Sequence, residues 1–193
     1  MNEITSLSQL DLNGSYSYDD YLKWKFQERV EIIKGKIMAM SPVPNRLHQR
    51  ISMKLTKAFL DVFVNHQCEL YVAPFDVRFP DSNGKIKTVV QPDLCVICDS
   101  NKLDEKGCIG APDLIVEILS PGNSKREMKD KYELYQEQGV SEYWIVRPEE
   151  QHIQIYVLEN GRYIGVQPVV EGDVITSIKF PALSFDTSGL YEL

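Results

Sequence analysis

GAPDLIVEILSPGNSKREMKDKYELY, residues 110–135, holds a strand, a turn and the start of a helix, and the chain is best read outward from it. Residues 112–120, PDLIVEILS, form an extended segment with two unlike faces. Asp113, Ile115, Glu117 and Leu119 share one face, and Leu114, Val116, Ile118 and Ser120 the other. Glu117 is therefore a carboxylate embedded among large apolar residues. A buried, unpaired carboxylate is strongly unfavourable, so a cation is expected beside it, either a metal ion or a side chain. A helix is predicted over 124–138, ending before Gly139. Met128, Tyr132 and Tyr135 make its apolar stripe, and at 100° per residue Lys131 falls inside that stripe, between Leu134 and Tyr135. Its ammonium is thus directed toward the sheet, unless it snorkels to solvent or serves a fixed salt bridge.

Two further acids have comparable settings. Asp93 interrupts the apolar run VVQPDLCVICD (89–99), and if its strand neighbours the one bearing Glu117, the two carboxylates meet across the sheet and can hold a hard cation through oxygen. Glu31 lies in VEIIKG (30–35) and is a third candidate, able to complete a ligand shell. Two carboxylates and a lysine suit phosphodiester hydrolysis: an ion polarises the phosphate and acidifies water, and the lysine orients or deprotonates that water and offsets negative charge. Asp113 lies four residues from Glu117, roughly 13 Å along a strand, too far to share one ion. It is expected to satisfy loop amides or a helix end, and Asp76 to be structural or to act in the outer shell of the site.

The remaining chain supplies a frame for these residues. Residues 1–16 read as a polar lead-in and 17–193 as one domain. Ser17 and Asp20 have capping-box spacing before a short helix continuing through Trp24 and Lys25. RVEIIKGKIMAMSP (29–42) reads as two strands about Lys34-Gly35, stopped by Ser41–Asn45. Ile51, Leu55, Ala58 and Val62 recur at helical intervals. Extended segments follow at 69–79, 90–98 and 112–119, with a polar loop at 99–111. SEYWIVRP (141–148) and HIQIYVLENGRYIGV (152–166) are strand-like, and Asn83-Gly84 and Asn160-Gly161 mark hairpins. The order predicts an α/β fold, a mixed β-sheet flanked by helices with additional β-hairpins. There is no repeat, and no Gly-rich strand-to-helix loop of the nucleotide-binding kind. Tyr143, Trp144 and Tyr156 are expected to pack in the core; Lys125, Arg126 and Lys129 are candidates for a phosphate-facing patch.

Composition narrows the class. A chain of 193 residues can bury a sizeable core without staples. The formal charge of −7 argues against a strongly basic surface that grips nucleic acid by phosphate contacts alone, but a carboxylate site can meet phosphate through divalent cations, with a local basic patch or a second subunit needed for strong DNA affinity. The opening residues MNEITSLSQL contain an acid and no basic leader, and no segment approaches the roughly 20 apolar residues of a membrane span, so a cytoplasmic location without membrane partners is the expectation. Cys95 and Cys98 would project from opposite strand faces, poor geometry for one zinc, and the four cysteines are expected to be reduced thiols.

Four stretches carry a family likeness: VEIIKGKIMAMSP followed by NRLH; QPDLCVI; GAPDLIVEILSPGNSKREMKDKYELYQEQGVSEYWIVRP; and IYVLENGRY. Over residues 17–165 the sequence resembles the Uma-type restriction endonucleases of the PD-(D/E)XK superfamily. The resemblance implies a restriction-endonuclease-like core and Mg²⁺-dependent cutting of DNA, with Mn²⁺ as a substitute, by an enzyme that works as a homodimer. It puts the first acidic position on Asp93 and the second on Glu117, the two metal ligands. Leu119 stands where the standard motif has lysine; this branch takes its lysine from the following helix, where Lys131 stands. Glu31 matches the acid before the early Lys-Gly turn, and His48 a histidine near the start of the long helix. Glu127 replaces an aspartate common in relatives, and Arg147 another. The alternative implied by the displaced lysine and the acidic charge is a non-catalytic binding or assembly protein on the nuclease fold; a hydrolase of RNA or of a small phosphorylated substrate is the third reading.

Overall fold

The computed structural model describes residues 3–26, 28–39, 45–121 and 125–193, with the backbone alone for Ala39, Lys125 and Arg126. In chain order the elements are α1 (Tyr18–Tyr21), β1 (Val30–Ile33), β2 (Lys36–Ala39), α2 (Arg46–Phe63), β3 (Glu69–Val72), β4 (Val77–Pro80), β5 (Ile86–Val90), β6 (Leu94–Ile97), β7 (Leu103–Asp104), β8 (Gly107–Ile109), β9 (Leu114–Ile118), α3 (Lys125–Gln138), β10 (Glu142–Arg147), β11 (His152–Glu159), β12 (Arg162–Gly165), β13 (Val169–Val170), β14 (Val174–Thr176) and β15 (Ser184–Asp186). The central sheet runs β12-β11-β10-β9-β6-β3, with β13 added to β11, and a second runs β2-β1-β5-β4-β8-β7. Both are mixed: β9 and β10 pair parallel, as do β4 and β8, and the other neighbours are antiparallel. A small β14-β15 pair completes the strands.

The two faces of β9 explain the layering. Leu114, Val116 and Ile118 enter a core with Ile51, Leu55, Phe59 and Phe63, which recur every fourth residue on α2. Ile115 enters a different core with Leu134 and Tyr135 of α3 and with Val77, Phe79 and Val90 of the second sheet. The central sheet is therefore covered by α2 and the C-terminal segment on one side, and by α3 and the second sheet on the other. Asn45 starts α2 by accepting the backbone N–H of His48 at 2.8 Å.

Several sequence expectations change. The extended run at 90–98 is broken: β5 ends in one sheet at Val90 and β6 begins in the other at Leu94. Pro92 has no N–H to give a ladder, which suits the three-residue crossing Gln91-Pro92-Asp93. The run at 69–79 splits likewise into β3 and β4, in different sheets, around Pro74. The polar stretch 99–111 is not all loop but contains the β7–β8 hairpin, and α1 covers four residues rather than reaching Trp24 and Lys25. The cysteines are not all thiols: Cys68 and Cys98 form a disulfide. Cys68 immediately precedes Glu69 and Cys98 immediately follows Ile97, the end pair of the β3–β6 ladder, so the antiparallel register sets the two opposite one another. Cys95 and Cys108 are buried thiols, the latter pushed up to about 11 by burial. The expected stop at residues 41–44 lies outside the described residues. Among the described residues no helix is long and apolar enough to cross a membrane.

The β7–β8 hairpin docks through a close backbone approach. Gly107 has φ +125°, and a Cβ there would stand 2.2 Å from the carbonyl oxygen of Asp76, which itself accepts the N–H of Cys108 at 2.9 Å. Gly107→Ala is expected to lower the unfolding free energy by roughly 1–3 kcal/mol through this clash and its left-handed backbone. Urea denaturation followed by circular dichroism measures it; an unchanged midpoint would refute the close-approach account.

Candidate active site

Four charged side chains from four separate segments gather where the two sheets meet. The β6–β9 register pairs Leu94 with Val116, and extending it by one residue sets Asp93 opposite Glu117. Asp93 Oδ2 accepts the backbone N–H of Ile118 at 2.7 Å, and its Oδ1 lies 3.3 Å from His48 Nε2. Glu117 shares the β9 face of Ile115, turned toward α3. Its Oε1 accepts from the Tyr135 hydroxyl at 2.6 Å and from Lys131 Nζ at 3.0 Å. Lys131 also donates to Glu31 Oε1 at 3.1 Å, and that oxygen accepts the backbone N–H of Gln91 at 2.8 Å. The lysine therefore bridges an acid of the central sheet to an acid of β1 in the second sheet. Glu31, Glu117 and Lys131 are all buried, at 2%, 8% and 6% exposure, so these contacts replace hydration.

Burial drives the electrostatics. It pushes the Glu117 carboxyl up to about 7; Lys131 opposes that rise, Glu31 and Asp93 add to it, and the Tyr135 hydrogen bond opposes it. Burial acts to lower Lys131, but Glu117 and Glu31 outweigh it and hold the ammonium charged, well above the usual lysine range. Burial likewise acts to lower His48, and its hydrogen bond and attraction to Asp93 raise it beyond that loss. Three carboxylates thus face one permanent cation and one titratable imidazole. Among the described residues no three His, Cys, Asp or Glu side chains form a ready-made metal cluster.

Sequence reasoning singled out Asp93, Glu117, Lys131 and Glu31, and the structure brings them together, with His48 behind Asp93. Asp113 stays apart: its carboxylate accepts the N–H of Cys98 at 2.9 Å and lies 3.5 Å from Lys179. Asp76 accepts from Tyr18 and Gln91. Tyr143 and Trp144 are core residues. Lys129 lies 3.6 Å from Glu133, while the side chains of Lys125 and Arg126 lie outside those described. Three polar contributors went unseen. Tyr135 was counted only for its ring; Gln91 offered no signal, since it acts through its backbone; and Glu142, an acid within SEYWIV, was passed over. Glu142 is wholly buried and accepts from Trp144 Nε1, Ser177 Oγ and the N–H of Lys179, which fastens the C-terminal segment to β10.

Comparison with known proteins gives a family and a fold. Residues 18–188 match the model of the Uma2 family, described as "putative restriction endonuclease". An uncharacterized protein of Synechocystis sp. is 30% identical over 121 residues, which span 62% of this chain and 61% of the relative, less than two thirds of its length. A crystal structure of "a putative nuclease belonging to DUF820" from Anabaena variabilis superimposes with a TM-score of 0.70 at 21% identity, covering 91% of this chain and 97% of the other; that likeness concerns the fold.

Removing the bridging cation leaves two buried acids unpaired. Lys131→Met is expected to cost about 3–5 kcal/mol in metal-free buffer, and adding Glu31→Gln to restore part of it. In the wild type the Glu117 carboxyl is raised from 4.5 to about 7, so its contribution to stability is full below about 4.5 and is lost as pH rises through about 7. Urea unfolding between those limits should show this decline, and Glu117→Gln should flatten it; an identical pH slope in the variant would contradict the assignment.

Proposed function

The chain belongs to the Uma2 family, and on that premise we propose that it is a metal-dependent endonuclease hydrolysing DNA phosphodiester bonds at the Asp93, Glu117, Lys131 and Glu31 cluster. The observation that carries the reading is Lys131 standing between Glu31 and Glu117, because it supplies from α3 the cation that Leu119 cannot supply from β9.

The donor set fits a hard divalent cation. Mg²⁺ commonly takes one or two carboxylates and completes its shell with water and phosphate, so two opposed acids suffice without a protein cage. Asp93 and Glu117 would hold Mg²⁺, or Mn²⁺ in its place, and the surplus of acids over fixed cations favours that binding. The ion supplies stabilisation of charge on the phosphate and acidification of water. The side chains do the rest. The Ile118 N–H and His48 fix the orientation of Asp93. Lys131, held protonated, orients water and offsets charge rather than abstracting a proton. Glu117, raised to about 7 in the metal-free protein, must give up its proton to hold the ion, so ion binding strengthens as pH rises through neutrality. Glu31 holds the lysine in place through the oxygen that Gln91 also engages. A C₂ homodimer with paired sites belongs to the same reading.

A second reading, a non-catalytic binding or assembly protein on this fold, is favoured by one observation: Lys131 is fully engaged by two acids while no three-ligand cluster exists among the described residues.

Purified protein is expected to nick supercoiled plasmid in Mg²⁺ or Mn²⁺ and not in EDTA, with Glu117→Gln reducing the rate by about two orders of magnitude or more while retaining the native circular dichroism spectrum. Folded wild-type protein that cleaves under none of these conditions would rule against the endonuclease and favour the second reading.

A further inference from the structure

Between Lys23 and Arg29 the sequence reads KWKFQER, three cations against one acid in a chain of net charge −7. The aromatic side chains of this region are grouped. Trp24 stacks on Phe26, with ring centres 5.5 Å apart and planes 23° from parallel, and meets Tyr16 and Tyr21 edge-on at 5.4 and 5.7 Å. The group has a fixed base: Tyr18 stacks on Tyr21, donates its hydroxyl to Asp76 and lies beneath the Arg78 guanidinium. Its upper members are open. Trp24 and Phe26 are only half-buried, whereas the chain's other tryptophan, Trp144, is wholly enclosed. Trp24 also stands between two surface cavities. One of about 700 Å³ runs past Ile4, Tyr16 and Lys25, and one of about 260 Å³ past Tyr21, Phe26 and Glu28.

The strip abuts the acid cluster. Gln91 donates from Nε2 to the Tyr21 hydroxyl at 3.4 Å, accepts from Arg29 Nη2 at 3.1 Å, and gives its backbone N–H to Glu31. One residue therefore touches both the aromatic strip and an acid of the site. Lys25 and Arg29 are exposed, and among the described residues no carboxylate lies within ion-pair distance of either, while Lys23 is 3.6 Å from Asp20.

We infer that Trp24 and Phe26, with Lys25 and Arg29, form a stacking platform for the bases of an unpaired DNA strand beside the acid–lysine cluster; this rests on the reading of DNA as substrate. Aromatic faces interleaved with cations bind a strand by base stacking and phosphate attraction together. A duplex keeps its base faces against one another, so only unpaired or splayed nucleotides present a face to Trp24. The platform makes single-stranded, frayed or mismatched DNA the favoured substrate class, and its exposed Lys25 and Arg29 offer cations to the phosphates in a chain of net charge −7.

The test is fluorescence anisotropy in EDTA, so that no cutting occurs, with labelled oligothymidylate of about 16 nucleotides and a duplex of equal length. Wild-type protein is expected to bind the single strand more tightly, with quenching of tryptophan emission. Trp24→Leu should weaken that binding about tenfold, and Trp24→Phe, which keeps a ring, only about threefold at most. Lys25→Gln should reduce the salt dependence of binding by about one unit of slope. If Trp24→Leu does not fold, Phe26→Leu and the quenching of the wild type decide. Equal affinity for duplex and single strand, unchanged binding by the leucine variant, or a Trp24-dependent dimer in sedimentation would overturn the platform; the last would make the strip an interface between copies. Plasmid nicking separates the two readings. Metal-dependent nicking with no Trp24 effect on binding removes the platform alone, and Trp24-dependent strand binding without nicking removes the endonuclease alone.

Discussion

The molecule depends on keeping one ammonium group out of water. Lys131 carries its charge at 6% exposure because Glu31 and Glu117 stand within hydrogen-bond reach on either side. Neither acid is cheap to bury alone, and each is tolerable only because the lysine is there. The triad draws on three elements at once: α3 supplies the cation, β9 of the central sheet one acid and β1 of the second sheet the other. A polar contact of this kind contributes more to specificity than to net stability, since it fixes how the helix and the two sheets must meet. The Lys34–Glu137 ion pair at 2.6 Å joins the β1–β2 turn to α3 at the surface, but it is exposed and correspondingly weak.

That constraint also shapes the chemistry. Glu117 is raised by burial and by neighbouring acids, yet Tyr135 and Lys131 hold one of its oxygens in place. Asp93 is fixed by a backbone N–H of the very strand that bears Glu117. The acids are oriented by buried hydrogen-bond donors already in place, as electrostatic preorganisation requires.

What could be read from the sequence was local, and what was missed was long-range. The alternation in PDLIVEILS assigned both faces of β9 correctly, because a strand with two buried faces still separates odd from even positions. Helical geometry put Lys131 inside the α3 stripe. The split of 90–98 was hidden because VVQPDLCVICD is apolar on both sides of its proline, and nothing local says that Val90 and Leu94 belong to different sheets. The β7–β8 hairpin was hidden by polar composition: its place depends on Gly107 meeting the backbone of Asp76, thirty-one residues away. The Cys68–Cys98 pair required the β3–β6 register, which neither cysteine announces. Tyr135 was legible as a ring but not as a donor, since its hydroxyl is oriented by a partner on another element.

The crossing from one sheet to the other at Gln91-Pro92-Asp93 has a consequence in time. Glu31 and Lys131 lie one hundred residues apart, so the acid of β1 leaves the ribosome long before the cation that neutralises it. A nascent chain that ends between Leu94 and residue 131 can begin both sheets, since the crossing is already made, yet it cannot close the contact that joins them. The contact between the sheets is therefore withheld from every product of synthesis that stops short of Lys131.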